Sequence, residues 1–140
     1  MKLDDKDLAI VEELRKDSRQ SIRDIAKITG IRPSTVHVRI NQLLANGVIE
    51  KFTLKLNNKA FGEDFVAFVL VKTNEEIKKT VFNNSAIKEV FGITGEYDLM
   101  MKCKFKDIDE FHKFLLKFRR ENNVDATVTM VSTITIKEEI

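Results

Sequence analysis

Side chains that can recognise the edges of DNA bases are concentrated in one short stretch of the sequence. Arginine matches the acceptor pair of guanine, asparagine and glutamine match adenine, and valine can pack against a thymine methyl group. The candidates for such contacts are Ser34, Thr35, His37, Val38, Arg39, Asn41 and Gln42. Arg32, just before them, is a candidate for a phosphate contact.

The charges around this stretch suit a phosphate-lined groove. No Asp or Glu occurs between Asp24 and Glu50. Residues 1–56 contain 11 Lys and Arg against 8 Asp and Glu, whereas residues 57–140 contain 13 against 14. The basic excess therefore lies with the base-reading candidates, although ordinary scatter of surface charge would also produce it.

Catalytic and metal-binding motifs are missing from the sequence. It contains no Cys-x-x-Cys pair, His-Glu-x-x-His motif, glycine-rich phosphate loop or Ser/His/Asp arrangement. His37 has no acidic partner nearby in sequence, His112 on the second-domain helix adds no support for catalysis or metal binding, and Cys103 alternates in phase with apolar residues. We therefore expect no enzyme activity, no catalytic residue, no metal and no cofactor.

The elements that must position the base-reading candidates form a predicted helix-turn-helix. The pattern predicts a first helix over 4–16 with Leu8, Val11 and Leu14 inward, a second from Ser21, and a third from Pro33 to Asn46-Gly47. Small Ala26, the turn residue Gly30 and the inward pair Val36 and Ile40 have the spacing of this motif. Alternating apolar residues over 48–56 predict a strand, the wing of a winged helix-turn-helix.

The second half of the chain has the pattern of an α+β domain. Strands are predicted at 65–71, 86–95, 98–105 and 126–136, with a short helix at 75–82. A longer helix follows Asp107, with an apolar stripe of Ile108, Phe111, Phe114, Leu115 and Phe118. This β-α-β-β-α-β order is that of a ferredoxin-like domain, an antiparallel sheet with both helices on one face.

The other face of that sheet needs a cover. The segment 65–71, FVAFVLV, is apolar on both faces. Burial of apolar surface contributes about 25 cal/mol per Å², so we expect a homodimer that covers the open face, with a monomer of unusual sheet as the alternative.

Length and composition indicate a DNA-binding domain at 1–56, a connector at 57–63 and a ferredoxin-like domain at 64–140. The single cysteine, the acidic N-terminus without a signal peptide and the lack of a long apolar run predict a cytoplasmic protein without a membrane partner.

Together the two halves resemble the Lrp/AsnC, or feast/famine, family of transcription regulators, and look most like its archaeal members. LDDKDLAIVEEL resembles the first helix of the family, DIAKITGIRPSTVHVRINQL followed by GVIEKF resembles its recognition unit and wing, and TGEYDLMMK resembles the turn of its effector-binding domain. The family usually has Ser or Thr at the position of Arg32, so the cap of the third helix either shifts to Ser34 or is left to water.

The resemblance implies a sequence-specific regulator that binds an inverted repeat as a dimer and assembles into octamers or other larger homo-oligomers. It also implies that an amino-acid effector binds at contacts between dimers. The residues it assigns to that site are Gly95, Tyr97, Asp98, Thr133 and Thr135, the last two on the final strand. Two alternatives remain open: an architectural protein that compacts DNA without an effector, and an enzyme on a ferredoxin-like dimer.

Overall fold

A computed structural model describes residues 1–139 and divides the chain into two compact units. The first unit is Met1–Leu54, and the second begins at Lys55. Across the described residues, every helix is too short or too polar to span a bilayer.

Three helices form the first unit: α1 (Asp5–Lys16), α2 (Ile22–Thr29) and α3 (Pro33–Ala45). The side chain of Asp4 accepts a hydrogen bond from the backbone of Asp7, and the side chain of Asp7 accepts one from the backbone of Asp4. This reciprocal capping box fixes the start of α1. Ser21 caps α2, and Gly30 ends it in the left-handed conformation at φ 70°. The predicted helix-turn-helix is confirmed.

The inward face of α1 differs from the prediction. Ile10 is fully buried with Ile25 and Val36, whereas Leu8 is 53% exposed. A strict three-residue repeat drifts around a helix of 3.6 residues per turn, so Asp7, Ile10 and Leu14 share the inner face instead.

The start of α3 has no side-chain cap. Arg32 occupies the cap position, and among the described residues no side chain, that of Ser34 included, makes a capping hydrogen bond there. Of the two alternatives for this helix start, the shift of the cap to Ser34 is therefore wrong.

The predicted wing strand at 48–56 is also wrong. No strand is formed there within residues 1–139, and Leu54 is 71% exposed. An extended segment becomes a strand only when a neighbouring backbone pairs with it, and no described strand lies beside this one.

The second unit contains a four-stranded antiparallel sheet of ferredoxin-like order, β2-β3-β1-β4, as predicted. Its elements are β1 (Phe65–Lys72), a 3-10 helix (Lys79–Asn83), β2 (Ile87–Gly92), β3 (Leu99–Phe105), α4 (Ile108–Glu121) and β4 (Ala126–Val131). The core lies between the sheet and α4, where Val69, Met101 and Cys103 are fully buried.

Two details of the second unit correct the prediction. The helix expected at 75–82 is absent, and only the 3-10 helix Lys79–Asn83 forms in this region. At the start of the expected helix, the Thr73 hydroxyl bonds to both backbone groups of Glu75 and holds the chain in a local turn. The apolar stripe of α4 is centred on Phe111 and Phe118, so Ile108 at its margin is 62% exposed.

The sheet face away from α4 remains open in the single chain. The strand register places Phe68 and Leu70 of β1 there, beside Met100, Phe91 and Met130 of the neighbouring strands. Phe91 and Met130 are each almost half exposed.

Charge on the open face is neutralised within the chain. Lys102 and Lys104 of β3 lie on this face, and both pair with Glu138. Asn58 accepts a second hydrogen bond from Lys104. The hydrogen bond that Lys104 donates is the main reason why the pKa of Glu138 lies below its ordinary value.

Candidate nucleic-acid interface and effector turn

The outer face of α3 presents most of the predicted base-reading residues. Those with exposed side chains are Arg32, Ser34, His37, Val38, Asn41 and Gln42. Val38 is 52% exposed, which leaves its methyl groups free to meet another apolar group. Helix geometry makes these residues neighbours, because positions three or four apart lie on one side.

Thr35 is half-buried at the edge of this face. It lines an open cleft of about 610 Å³ between α1 and the turn before α3. Lys6, Arg32 and Asp5 border the same cleft, so two cations and one carboxylate line it. The net positive charge at this end of α3 is compatible with a phosphate contact.

Arg39 points the other way, toward α1. Its Nη1 lies 2.6 Å from Asp4 Oδ2 and 2.9 Å from Asp7 Oδ1. The Asp7 side chain is only 1% exposed, and that of Arg39 is 25% exposed. One nitrogen of the guanidinium is thus paired with both carboxylates of the capping box of α1 in the single chain, whereas the predicted contact of Arg39 with guanine stays a prediction.

Electrostatics favour this arrangement. The backbone N–H of Asp7, followed by the Arg39 guanidinium, holds the pKa of Asp4 below its ordinary value. Hydrogen bonds to Asp7 and then to Asp4 raise the pKa of Arg39. Asp4 and Arg39 are therefore stabilised in their charged forms.

The sequence contains a signal for the inward position of Arg39. Val36 and Leu43 are fully buried, and Arg39 lies three residues after one and four before the other. That spacing belongs to the inner stripe of a helix. The acidic partners are 32 and 35 residues away, so only the fold reveals them.

His37 and Asn41 form a side-chain contact on the outer face of α3. Asn41 Nδ2 lies 3.2 Å from His37 Nε2. The two residues are one helical turn apart, and both are exposed. The amide that would meet a base edge is therefore hydrogen-bonded to an imidazole before any DNA arrives.

The turn at Gly95, the candidate effector site, contains the unusual backbone expected for this glycine, at φ +116°. Tyr97 is half-buried and Asp98 is exposed. Asp98 Oδ2 accepts a hydrogen bond from the Thr73 backbone at 2.9 Å, and the Asp98 backbone donates to Val71. In the single chain, Asp98 therefore joins its turn to the end of β1.

Thr133 and Thr135 are not brought to this turn within one chain. They follow β4 rather than lying on it, which corrects the sequence expectation. Ser132 donates to Val66, whereas Asp98 donates to Val71 at the other end of β1. Five residues of strand separate these points by roughly 16 Å.

Other chemistry has little support in the second unit. Cys103 is fully buried, and burial raises the pKa of its thiol to about 12. The described residues contain no group of three or more side chains placed to hold a metal ion.

Two family models match the chain. A winged helix-turn-helix DNA-binding model matches residues 3–50, and the Lrp/AsnC ligand binding domain matches residues 66–140. The second match covers the sheet, α4 and the Gly95 turn.

Curated relatives and solved structures agree with these matches. An uncharacterized HTH-type transcriptional regulator of Pyrococcus furiosus is 39% identical over 99% of this chain and 97% of its own length. Regulator FL11 of the same organism is 38% identical over 92% of this chain and 88% of its own.

Among solved structures, LrpC of B. subtilis is 29% identical, with a TM-score of 0.87 over 99% of this chain and 100% of its own. A Neisseria meningitidis transcriptional regulator in complex with L-Met shares the fold at 21% identity, with a TM-score of 0.87 over 98% of this chain and 94% of its own. The matched proteins are regulators and not enzymes. This chain belongs to the Lrp/AsnC family of helix-turn-helix transcriptional regulators.

Proposed function

We propose that this protein is a sequence-specific DNA-binding regulator of the cytoplasm that reads the major groove with α3. The main support is the exposed polar face of α3, with Ser34, His37, Asn41 and Gln42 held outward by a buried inner stripe. Val38 adds an apolar contact suited to a thymine methyl group. Arg32 contacts a phosphate, and Thr35 lies beside it.

The DNA site is an inverted repeat bound by a homodimer. The open sheet face supports a dimer, because Phe68, Leu70 and Met100 remain half-buried where a second copy would cover them. A two-fold dimer presents two copies of α3, so its half-sites lie about one helical turn apart. Dimers assemble further into octamers or other larger homo-oligomers.

An amino-acid effector binds at the Gly95 turn, at contacts between copies. Backbone N–H groups near Gly95 hold the effector carboxylate, and Asp98 accepts from its ammonium group beside Tyr97. Since Thr133 and Thr135 lie at the other end of the sheet, they contribute only from a neighbouring copy. The L-Met complex of the Neisseria regulator supports an effector of this class.

The deciding experiment is selection of bound sequences from a random DNA pool, with and without a mixture of the twenty amino acids. An enriched inverted repeat whose recovery changes with amino acids is the expected result. Retention of all sequences alike would favour the alternative, an architectural protein that compacts DNA. An enriched repeat that ignores every amino acid would remove the effector and leave the regulator.

A further inference from the structure

The contact between His37 and Asn41 has a direction that depends on protonation. A neutral imidazole has one nitrogen that accepts and one that donates, whereas an imidazolium donates from both. Asn41 Nδ2 faces His37 Nε2 at 3.2 Å. With that orientation the amide donates and Nε2 accepts, which requires a neutral histidine whose proton is on Nδ1.

The orientation determines what Asn41 offers to DNA. One amide hydrogen is used by His37, so the other hydrogen and Oδ1 remain free. One donor beside one acceptor matches adenine, which presents the N7 acceptor and the N6 donor in the major groove.

A proton on Nε2 of His37 reverses this match, and the imidazolium always has one. An imidazolium donates from Nε2, so the hydrogen bond persists only if the amide of Asn41 rotates and turns Oδ1 toward the ring. Both hydrogens of Nδ2 then face outward. Two donors match guanine, which presents the O6 and N7 acceptors.

The charged side chains of the surrounding helices form no ion pair with His37 in the described part of the chain. Arg39 on α3 pairs with Asp4 and Asp7 of α1. Asp24 on α2 accepts from Ser21. Within residues 1–139, the remaining charged side chains at this end of α1 and on α2, namely Asp5, Lys6, Arg23 and Lys27, form no ion pair with His37.

We propose that His37 is a positioning residue that sets the base preference of Asn41, toward adenine when Nε2 of the imidazole carries no proton and toward guanine when it carries one, as it always does in the imidazolium. This inference rests on the proposed base reading by α3. Because Arg39 is held by α1, no arginine of α3 competes for guanine at this position.

The test is selection from a random DNA pool with the full-length protein at about pH 8.5 and about pH 5.5, which bracket the range in which histidine changes charge. For the unmodified protein, the adenine-to-guanine ratio at one position of each half-site is expected to fall by about tenfold or more on acidification. His37→Ala should give an intermediate ratio that is the same at both pH values. Asn41→Ala should remove the preference at that position.

His112→Ala is the matched control, because it removes the other histidine of the chain from an exposed site on α4. It should keep the full pH response. Two results overturn the role of His37 but not base reading by α3. One is an enriched site whose adenine-to-guanine ratio does not change with pH, and the other is an equal change of that ratio in His37→Ala and in the unmodified protein. Loss of all sequence enrichment at both pH values overturns base reading by α3 as well.

Discussion

At the scale of single residues, Arg39 joins the DNA-facing helix to the start of the chain. Asp4 and Asp7 cap α1 reciprocally, and the guanidinium of Arg39 contacts both carboxylates. A side chain that would suit guanine on an isolated helix therefore has a structural role. Its loss would leave Asp7, which is nearly inaccessible to water, without its cation.

We expect Arg39→Ala to lower the thermal midpoint of the first unit by several degrees and to accelerate amide exchange in α1, since the α1–α3 contact loses its charged bridge. Base preference should persist in the folded protein. Thermal denaturation followed by helix signal, with exchange measured by mass spectrometry, provides the test. Arg32→Ala, at an exposed site, is the control and should leave the midpoint unchanged.

If Arg39→Ala kept full stability but relaxed one base position, with affinity reduced roughly tenfold or more, Arg39 would be a base contact after all.

The same cluster predicts a dependence on acid. The pKa of Asp4 is lowered from 3.8 in the folded state, so the unfolded chain binds protons more readily. The stabilisation is complete above the ordinary aspartate range and is lost as pH falls through the lowered value. Asp4→Asn keeps a capping side chain but does not ionise. As the pH falls from about 5 to about 2, the unfolding midpoint of this variant should decrease less than that of the unmodified protein. An equal decrease in both proteins would exclude Asp4 as a source of the acid dependence.

At the scale of elements, the Gly95 turn depends on a backbone angle that side chains disfavour. Its φ of +116° lies in a region rarely adopted by L residues, although a Cβ there would meet nothing within 4 Å. The constraint is therefore conformational and not steric crowding by neighbours. Asp98 and Thr73 hold the turn against β1.

Gly95→Ala should destabilise the second unit by about 1–3 kcal/mol through backbone strain. Gly92→Ala is the matched control, because Gly92 also has open space around its Cα but lacks a positive φ. Urea unfolding of the full chain, followed by fluorescence of the single tyrosine Tyr97 in the second unit, measures both. Equal midpoints for the two variants would show that the turn relaxes at no cost.

Elements whose apolar residues form a continuous run or a helical stripe could be predicted from the sequence. An element that forms only when another segment of backbone pairs with it could not. The continuous apolar run of 65–71 and the stripe around Phe111 and Phe118 correspond to β1 and α4. The partly alternating pattern of 48–56 also predicts a strand, yet it forms none in the described chain.

Within the candidate sites, the helical period of the sequence predicts which side chains of α3 are exposed. The pairing of Arg39 depends instead on residues more than thirty positions away. The separation of Thr133 from the Gly95 turn follows from the path of the chain across the sheet, which residue type does not encode.

At the scale of the whole molecule, the open sheet face predicts the assembly. Phe91 is 49% exposed on this face, so Phe91→Glu would bury an unpaired carboxylate in a face-to-face dimer, at a cost of about 2 kcal/mol or more. Light scattering at micromolar concentration should show at least twice the 16.2 kDa chain mass for the unmodified protein and a lower average mass for the variant.

Ile108→Glu is the matched control, since Ile108 is similarly exposed but lies on α4, across the sheet. It should assemble normally. A 16 kDa species from the unmodified protein would contradict the dimer itself.

The engagement of Arg39 by α1 has a consequence for how salt acts on DNA binding. Arg39 is the only lysine or arginine of α3 and is paired with Asp4 and Asp7, so with His37 neutral this helix offers no unpaired cation for counterion release. Each phosphate contact contributes roughly −0.9 to the slope of log affinity against log salt. Arg32→Ala should therefore flatten the slope without changing the ranking of sequences, whereas Asn41→Ala should change the ranking at constant slope. In this protein, different side chains determine which sequence is bound and how strongly salt weakens the binding. The two properties can therefore be altered separately.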